Sequence, residues 1–288
     1  MGVLSAGNQL ALNKRREFVF MEKDFNFIVK LVGERTGIVL SDSKREMVYS
    51  RLTRRIRELG IKDFTTYCNM LRDGDPNELV NFTNALTTNL TSFFREPHHF
   101  EYLANTVLPA IEANKTNRSL RIWSAGCSSG EEPYTIAMTV REILPENSGW
   151  DIKIMATDLD SNMVEKAQTG IYVDERVTGI DKKRLKRWFV KGKGQNVGKV
   201  RIKPELQKII TFKQLNLLND WPMREPMDVI FCRNVVIYFN KDTQKILFSR
   251  YSELIADHGH LFIGHSESLN KVSDDFKLIG KTIYQKIS

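Results

Sequence analysis

Cysteine is scarce in this chain: Cys68, Cys127 and Cys232 are the three among 288 residues. Their odd number and wide spacing argue against a disulfide framework or a zinc site and fit a reducing cytoplasm. Long apolar runs are missing as well. None approaches the roughly 20 residues that a bilayer-spanning helix needs, so no transmembrane segment is expected. The opening of the chain lacks the order of a secretion signal, because Lys14-Arg15-Arg16 follows a weakly apolar stretch and no apolar core comes after it. Gly126 and Gly130 do not form Gly-x-Gly-x-x-Gly, and no Gly-Lys-Ser/Thr follows them. That excludes the usual devices for holding a dinucleotide or a nucleotide phosphate. No Ser-His-Asp or Cys-His arrangement is legible. His98-His99, His258 and His260 have no convincing set of metal partners, so they read as structural and no metal is expected.

What is present is ordinary for a globular protein: 41% hydrophobic and 27% charged residues, a balance that excludes wholesale disorder. Net charge is +8, which suits nucleic acid, an acidic surface or an acidic protein partner. Its distribution is more informative. From Ile171 to Lys213 there are 13 Lys or Arg against 4 Asp or Glu, so the remainder of the chain is close to neutral.

Residues 1–88 read as a helical domain. Phe25, Ile28, Val29 and Val32 follow one helical face, and Ser43-Lys-Arg-Glu46 fits a capping box opening a helix that buries Val48, Leu52, Ile56 and Leu59 before Gly60. Lys44, Arg51, Arg54 and Arg55 then form a basic stripe beside that apolar one, a candidate docking surface whose plainer reading is a solvated face. Asp63 is placed to cap a further helix, and Pro76 suits the first position of the next. From residue 89 to 288 the pattern becomes α/β. Leu120–Ala125, Ile152–Thr157, Met227–Cys232 and His260–Gly264 read as short buried strands. Helices such as Glu132–Leu144 and Asp242–Ala256 alternate with them, which predicts a mostly parallel sheet covered on both faces. The basic stretch at about 171–213 interrupts the alternation. Its helical run Asp181–Phe189 and two β-prone runs separated by glycines predict a small antiparallel insertion.

Ligands of such sheets sit beyond the carboxyl ends of the strands. Leu120-Arg-Ile-Trp-Ser-Ala-Gly-Cys-Ser-Ser-Gly130-Glu-Glu-Pro-Tyr134 is a strand, a glycine turn and a helix start, where glycine lets the backbone approach a ligand or simply packs helix on strand. Asp158 ends the next strand and suits the two ribose hydroxyls of an adenosine, with Asp160 or Ser161 free to cap the following helix. Asn216, in Gln214-Leu-Asn-Leu-Leu218, is placed to meet the adenine edge. Asn234 and Tyr238, in Phe231-Cys-Arg-Asn-Val-Val-Ile-Tyr-Phe239, stand over the same crevice. The glycine turn and these polar residues, at four successive strand ends, point to a cofactor carrying a nucleoside and no phosphate.

Together with Asn84-Ala-Leu-Thr-Thr-Asn-Leu-Thr-Ser-Phe-Phe-Arg-Glu96, these motifs resemble the chemotaxis receptor methyltransferases, the CheR family, over nearly the whole chain. The resemblance implies an all-α N-terminal domain and a Rossmann-like α/β methyltransferase domain that binds S-adenosylmethionine and releases S-adenosylhomocysteine. By matching position it places Asn89, Thr91, Arg95, Glu132, Asp158, Asn216, Leu217, Asn234 and Tyr238 around the cofactor, with Arg95 and Tyr238 nearest the reacting centre. It implies a cytoplasmic monomer, recruited to membrane receptors, that methylates glutamate carboxylates on chemoreceptor cytoplasmic helices. In some members the insertion also holds a receptor C-terminal peptide. The basic insertion suggests a nucleic-acid methyltransferase as a rival. Its fourth strand end lacks Asn-Pro-Pro-aromatic, Cys232 lacks a preceding proline, and aromatics do not interleave with the basic residues, so no nucleic-acid partner is expected. A non-catalytic adaptor is the rival from another class, and the presence of Arg95, Asp158 and Tyr238 counts against it.

Overall fold

The structure, a computed structural model, describes residues 16–287. The opening segment weighed above as a leader lies outside them, apart from Arg16. Among the described residues no helix is long and apolar enough to cross a membrane. The chain divides after Thr88 into two units, each with a core of its own.

The first unit is helical: α1 (Glu22–Thr36), α2 (Arg45–Glu58), α3 (Phe64–Asp73) and α4 (Pro76–Leu86). Phe25, Ile28, Val32, Val48, Leu52 and Ile56 are fully buried with Phe64, Tyr67 and Phe82, as helical periodicity requires. Asp63 accepts the Thr66 N–H at 2.8 Å and caps α3, and Pro76 opens α4. Two expectations fail here. Asp42–Lys44 is a 3-10 turn, so α2 begins at Arg45 and no Ser43–Glu46 box forms. The Ser43 hydroxyl pairs instead with Ser41 at 2.8 Å, and Glu46 pairs with Arg16. Leu59 is 36% exposed because α2 has already ended at Glu58.

The basic stripe also divides. Arg51 donates to the carbonyls of Leu86 and Thr87 at 2.8 and 2.7 Å and to the Thr88 hydroxyl at 2.9 Å, closing the C-terminal end of α4 where a cation is favoured. Arg55 grips the buried Glu78 carboxylate at 3.0 and 2.5 Å, and Glu78 also accepts the Tyr67 hydroxyl at 2.7 Å. Lys44 and Arg54 remain exposed, Arg54 in an i,i+4 contact with Glu58. The helical spacing placed all four on neighbouring faces, yet two of them are drawn inward by carbonyl and carboxylate acceptors from α4.

The second unit contains, in chain order, α5 (His98–Tyr102), α6 (Leu108–Asn114), β1 (Ser119–Ala125), α7 (Glu131–Ile143), β2 (Asp151–Asp158), α8 (Ser161–Thr169), β3 (Ile171–Val173), α9 (Lys182–Trp188), β4 (Phe189–Lys191), β5 (Lys199–Ile202), α10 (Pro204–Gln207), β6 (Ile210–Gln214), β7 (Met227–Cys232), α11 (Lys241–Leu254), β8 (Ile255–Ile263), β9 (Phe276–Gly280) and β10 (Ile283–Lys286). The large sheet runs β6-β2-β1-β7-β8-β10-β9. Its first five strands are parallel, and β10 is antiparallel to both neighbours. The chain order reverses between β1 and β7, the place where α/β sheets open a crevice. Alternate residues of β1 feed opposite faces: Leu120 and Ile122 join one core, Trp123 and Ala125 the other. Phe100, Phe231 and Phe262 stack beneath the β7 and β8 ends, with centroids 5.8 and 4.4 Å apart.

The interruption forms a separate antiparallel sheet, β3-β5-β4. It ends earlier than expected, since Ile210 already pairs with Ile154 in the large sheet. Along β5, Lys199 and Arg201 face outward while Val200 and Ile202 are buried. Glu142 on α7 anchors this part by accepting from Arg184 and from the Trp188 indole at 3.0 Å. The pattern reading stopped at Gly264 and so assigned nothing to the β9–β10 hairpin. It also took the α11 helix two residues too far, into β8.

Removing the Arg55 side chain leaves the Glu78 carboxylate buried without its cation. Arg55→Ala is therefore expected to destabilise the first unit by about 3 kcal/mol. Replacing both partners by apolar residues is expected to recover part of that loss. Urea unfolding of the single and double variants checks both, and equal stability of Arg55→Ala and the parent chain would contradict the assignment.

Candidate active site

In the sheet order β6-β2-β1-β7, the carboxyl ends bring Asn216, Asp158, the glycine turn and Asn234 side by side. Their backbones are joined directly. The Leu215 N–H donates to Asp158 O at 2.9 Å, and Gly126 and Cys127 donate to Thr157 O at 2.8 and 2.9 Å. The Asp158 carboxylate is buried and accepts from the Ser128 N–H at 2.7 Å and the Asp160 N–H at 2.9 Å. Burial pushes its pKa up to about 6 even though these amides favour the charged form. The cap of α8 is supplied by Asp160, whose side chain accepts from Asn162 and Met163, so Asp158 is not needed for it.

The glycines also answer a packing requirement of the protein itself. Gly126 and Gly130 have φ of 100° and 96°. A Cβ on Gly126 would meet Val235 Cγ2 at 2.4 Å, and one on Gly130 would lie 2.9 Å from Ala167 Cβ and from the Tyr172 hydroxyl. Both positions require glycine for backbone conformation and for protein packing. Cys127 between them is buried, and burial raises its thiol well above the ordinary range, so it is no nucleophile.

The segment 89–96 lies across these strand ends. Asn89 donates from Nδ2 to Asp160 at 2.7 Å, and its carbonyl accepts from the Ser128 hydroxyl at 3.1 Å. Thr91 O accepts from Arg176 at 3.0 Å, and the Phe94 N–H donates to Thr135 at 3.2 Å. Arg95 O accepts from Arg233 Nη2 at 2.5 Å, while the Arg95 guanidinium reaches back to Leu90 O at 2.8 Å. Phe94, Glu96, Ser128 and Asn234 all adopt positive φ, between 47° and 58°. Left-handed backbone at four non-glycine residues in one neighbourhood marks a place where the surrounding contacts over-determine the chain.

Four residues from the expected cofactor set have side chains engaged within the protein, among them Asn216, whose Oδ1 accepts from the Leu218 N–H at 3.0 Å. Glu132 accepts from Ser124 at 2.7 Å and from Arg233 at 3.0 Å. Burial raises its carboxyl against the pull of Arg233. The Leu217 side chain belongs to the core, and its carbonyl accepts from Trp221 and Arg250 at 3.1 and 2.8 Å. Asn89 holds the segment to Asp160. Tyr238 ends a 3-10 turn, Val236–Tyr238, half-buried beside Asn234. Lys44, Arg51, Arg54 and Arg55 belong to the other unit.

Two residues of this neighbourhood escaped the pattern reading. Arg233 is buried, joins Arg95 O to Glu132 and lies over the Phe100 ring at 5.4 Å. Glu267 is a buried carboxylate at the β8 end. A charged residue inside Phe231-Cys-Arg-Asn234 was a visible signal for the first, and inspection of the next strand end would have found the second. Glu96, His98 and His99 each bring a ligand atom within 4.8 Å of the others. Arg233 Nη2 lies 3.4 Å from Glu96, and His265 Nδ1 donates to the Glu96 carboxylate at 2.9 Å. Burial pushes the Glu96 carboxyl up, but the His265 contact and the Arg233 charge bring it down to about 2. A guanidinium already neutralises the carboxylate where a cation would have to sit.

The arrangement offers a buried carboxylate, two amides and a phenol at adjacent strand ends. That donor set fits an adenosine without phosphates, and the residues present therefore fit S-adenosylmethionine. Comparison with known proteins agrees. The family model described as CheR methyltransferase, SAM binding domain, matches residues 89–285, and CheR methyltransferase, all-alpha domain, matches residues 23–87. The Chemotaxis protein methyltransferase of Escherichia coli (strain K12) is 42% identical over 278 residues, covering 96% of this chain and 94% of its own. The Chemotaxis protein methyltransferase 2 of Pseudomonas aeruginosa is 43% identical over 272 residues, covering 93% and 95%. That of Salmonella typhimurium is 41% identical over 283 residues, covering 97% and 96%. The chain belongs to the CheR family and is an S-adenosylmethionine-dependent chemotaxis methyltransferase.

Proposed function

We propose that the acceptor is a glutamate carboxylate on the cytoplasmic helices of chemoreceptors, and that the product is a glutamate methyl ester. The observation that carries this reading is the grip of Arg233 on Arg95 O, which ties the segment bearing one candidate catalytic residue to the strand end bearing the other. Bound S-adenosylmethionine supplies the electrophilic methyl group. A glutamate of ordinary pKa is only about one part in 500 protonated at pH 7, so the nucleophile is already charged. No general base is required. The protein's task is alignment, which contributes roughly 7–11 kcal/mol when reacting groups are held in line. Arg95 has guanidinium donors beyond the one on Leu90 with which to orient the acceptor carboxylate in a forked contact. Tyr238 holds the reacting groups by its hydroxyl. Asp158 takes the ribose hydroxyls, and Asn216 and Asn234 face the nucleoside from either side, with Asn89, Thr91, Glu132 and Leu217 as their supports.

Recruitment rests on charge. A groove of about 590 Å³ flanks the small sheet, lined among others by Asn89, Lys166, Arg176 and Lys199. Strands β3 and β4 each pair on one side only. A receptor C-terminal peptide ending in a carboxylate suits a basic groove beside an open strand edge. The helical unit contributes Lys44 and Arg54, the exposed part of its basic stripe, toward an acidic helix bundle. The enzyme acts as a monomer drawn to membrane receptors in this reading.

Label transferred from S-adenosylmethionine to receptor-containing membranes is expected on a receptor band and released as methanol by mild base. Cofactor binding with no such label would mean another acceptor. Arg95→Ala is expected to lower turnover about 10–100-fold and Tyr238→Phe about 5–10-fold, at little cost to stability. Near-normal turnover in either removes that role. Affinity for S-adenosylmethionine, measured by calorimetry, is expected to hold above the Asp158 pKa of about 6 and to fall as pH drops through it, because protonation removes an acceptor. Asp158→Asn is expected to bind weakly with little pH dependence from pH 5 to 8, and a variant that kept the parent's pH profile would dismiss the ribose role. Charge reversal at Lys44 and Arg54 together is expected to slow receptor methylation several-fold at low salt, with the difference vanishing near 0.5 M salt. An unchanged rate would end the docking assignment.

A further inference from the structure

Glu267 follows β8 and has no role among the residues assigned to cofactor or acceptor. Its side chain is buried, yet no salt bridge reaches it among the described residues. Its charge is met by four backbone N–H groups from two strand ends. Oε2 accepts from Gly264 at 2.5 Å and Asn234 at 2.9 Å, while Oε1 accepts from Val235 at 2.9 Å and Ile237 at 3.3 Å. One oxygen therefore ties the end of β8 to Asn234, and the other holds the 3-10 turn that leads to Tyr238. The amide of Asn234 points inward because the residue is left-handed, with φ of 58°. Its side chain packs against Gly264, where a Cβ would lie 2.3 Å from Asn234 Nδ2. The carboxylate and the glycine thus set the Asn234 backbone and side chain from opposite directions.

We infer that Glu267 is a positioning residue for methyl transfer, its carboxylate fixing the backbone from 234 to 238 so that Asn234 and Tyr238 are presented to the cofactor. This rests on the site reading given above. Successive inward-facing amides form a concavity suited to an anion, and here the anion is a side chain of the same unit. Glutamine has the same length but turns an NH2 toward two of these donors whichever way it is flipped. Aspartate keeps both oxygens and reaches less far.

Calorimetry with S-adenosylhomocysteine and turnover assays on the full chain, run well below the melting temperature, test the inference. Glu267→Gln is expected to weaken cofactor affinity at least about tenfold and to lower kcat as well, with Glu267→Asp recovering part of both. Gly264→Ala keeps the carboxylate but presses on both the backbone N and the side-chain amide of Asn234, beside the Oε2 contact, and is expected to give the same loss of affinity. A folded Glu267→Gln protein with affinity and kcat within about twofold of the parent overturns the inference. Should that variant fail to fold, unchanged affinity in Gly264→Ala overturns it instead. Asn234→Ala and Tyr238→Phe separate the two levels. If both behave as the parent, the site reading itself fails; if they lose activity while Glu267→Gln does not, only the positioning role fails.

Discussion

The second unit is organised around one buried cation. Arg233 leaves β7 at its carboxyl end, lies over Phe100 and donates to Glu132 at the start of α7 and to Arg95 O in the segment that crosses the sheet. A guanidinium removed from water is costly unless its donors are met, and removing one partner of such a pair costs more than the pair contributes. The contacts support one another: Arg233 helps hold the segment 89–96 across the strand ends, together with Asn89, Ser128 and Arg176, and the segment supplies Arg233 with a carbonyl acceptor. Glu96, beside the same guanidinium and His265, adds a second carboxylate to the network.

Four of the nine left-handed non-glycine residues among those described lie around this network. Phe94 and Glu96 flank Arg95 with positive φ, and Ser128 and Asn234 do the same in the turns that Arg95's segment touches. Each left-handed residue costs on the order of 1 kcal/mol, so hydrogen bonds must hold it. They do: Phe94 by Thr135, Ser128 by Asp158, Asn234 by Glu267. Catalysis by alignment needs this kind of fixed frame, because a methyl transfer without a proton to move gains only from where atoms are placed.

How much of this was legible depended on the range of the interaction. Strand ends were readable because β7 is buried throughout and β1 and β2 become buried toward their carboxyl ends, so polar residues such as Asp158 and Asn234 stand out where those strands stop. The aim of the glycine turn was not readable. Whether Gly126 spares a ligand or spares Val235 depends on a residue 109 positions away in the sequence. Arg51 and Arg55 fell to the same problem: periodicity puts them on an outer face, but acceptors from α4 take them in. Glu267 could be found by its place after a strand, but its role could not, because its partners are backbone amides, which have no sequence signature.

The distinction between spent and available charge matters for the insertion too. Its basic excess cannot be equated with a binding surface, since Arg176 is paired with Glu131 and Arg184 with Glu142, and both serve to attach the small sheet to α7. What is left over is still substantial. Lys182, Lys183, Lys186, Lys191, Lys199 and Arg201 are exposed, and the last two project from a strand whose alternate residues are buried. These groups belong to the methyltransferase unit, so an acidic partner that they attracted would be brought to the unit that carries the site. Charge used in attachment fixes the position of the charge used in attraction, and neither portion could be told from the other by counting lysines and arginines.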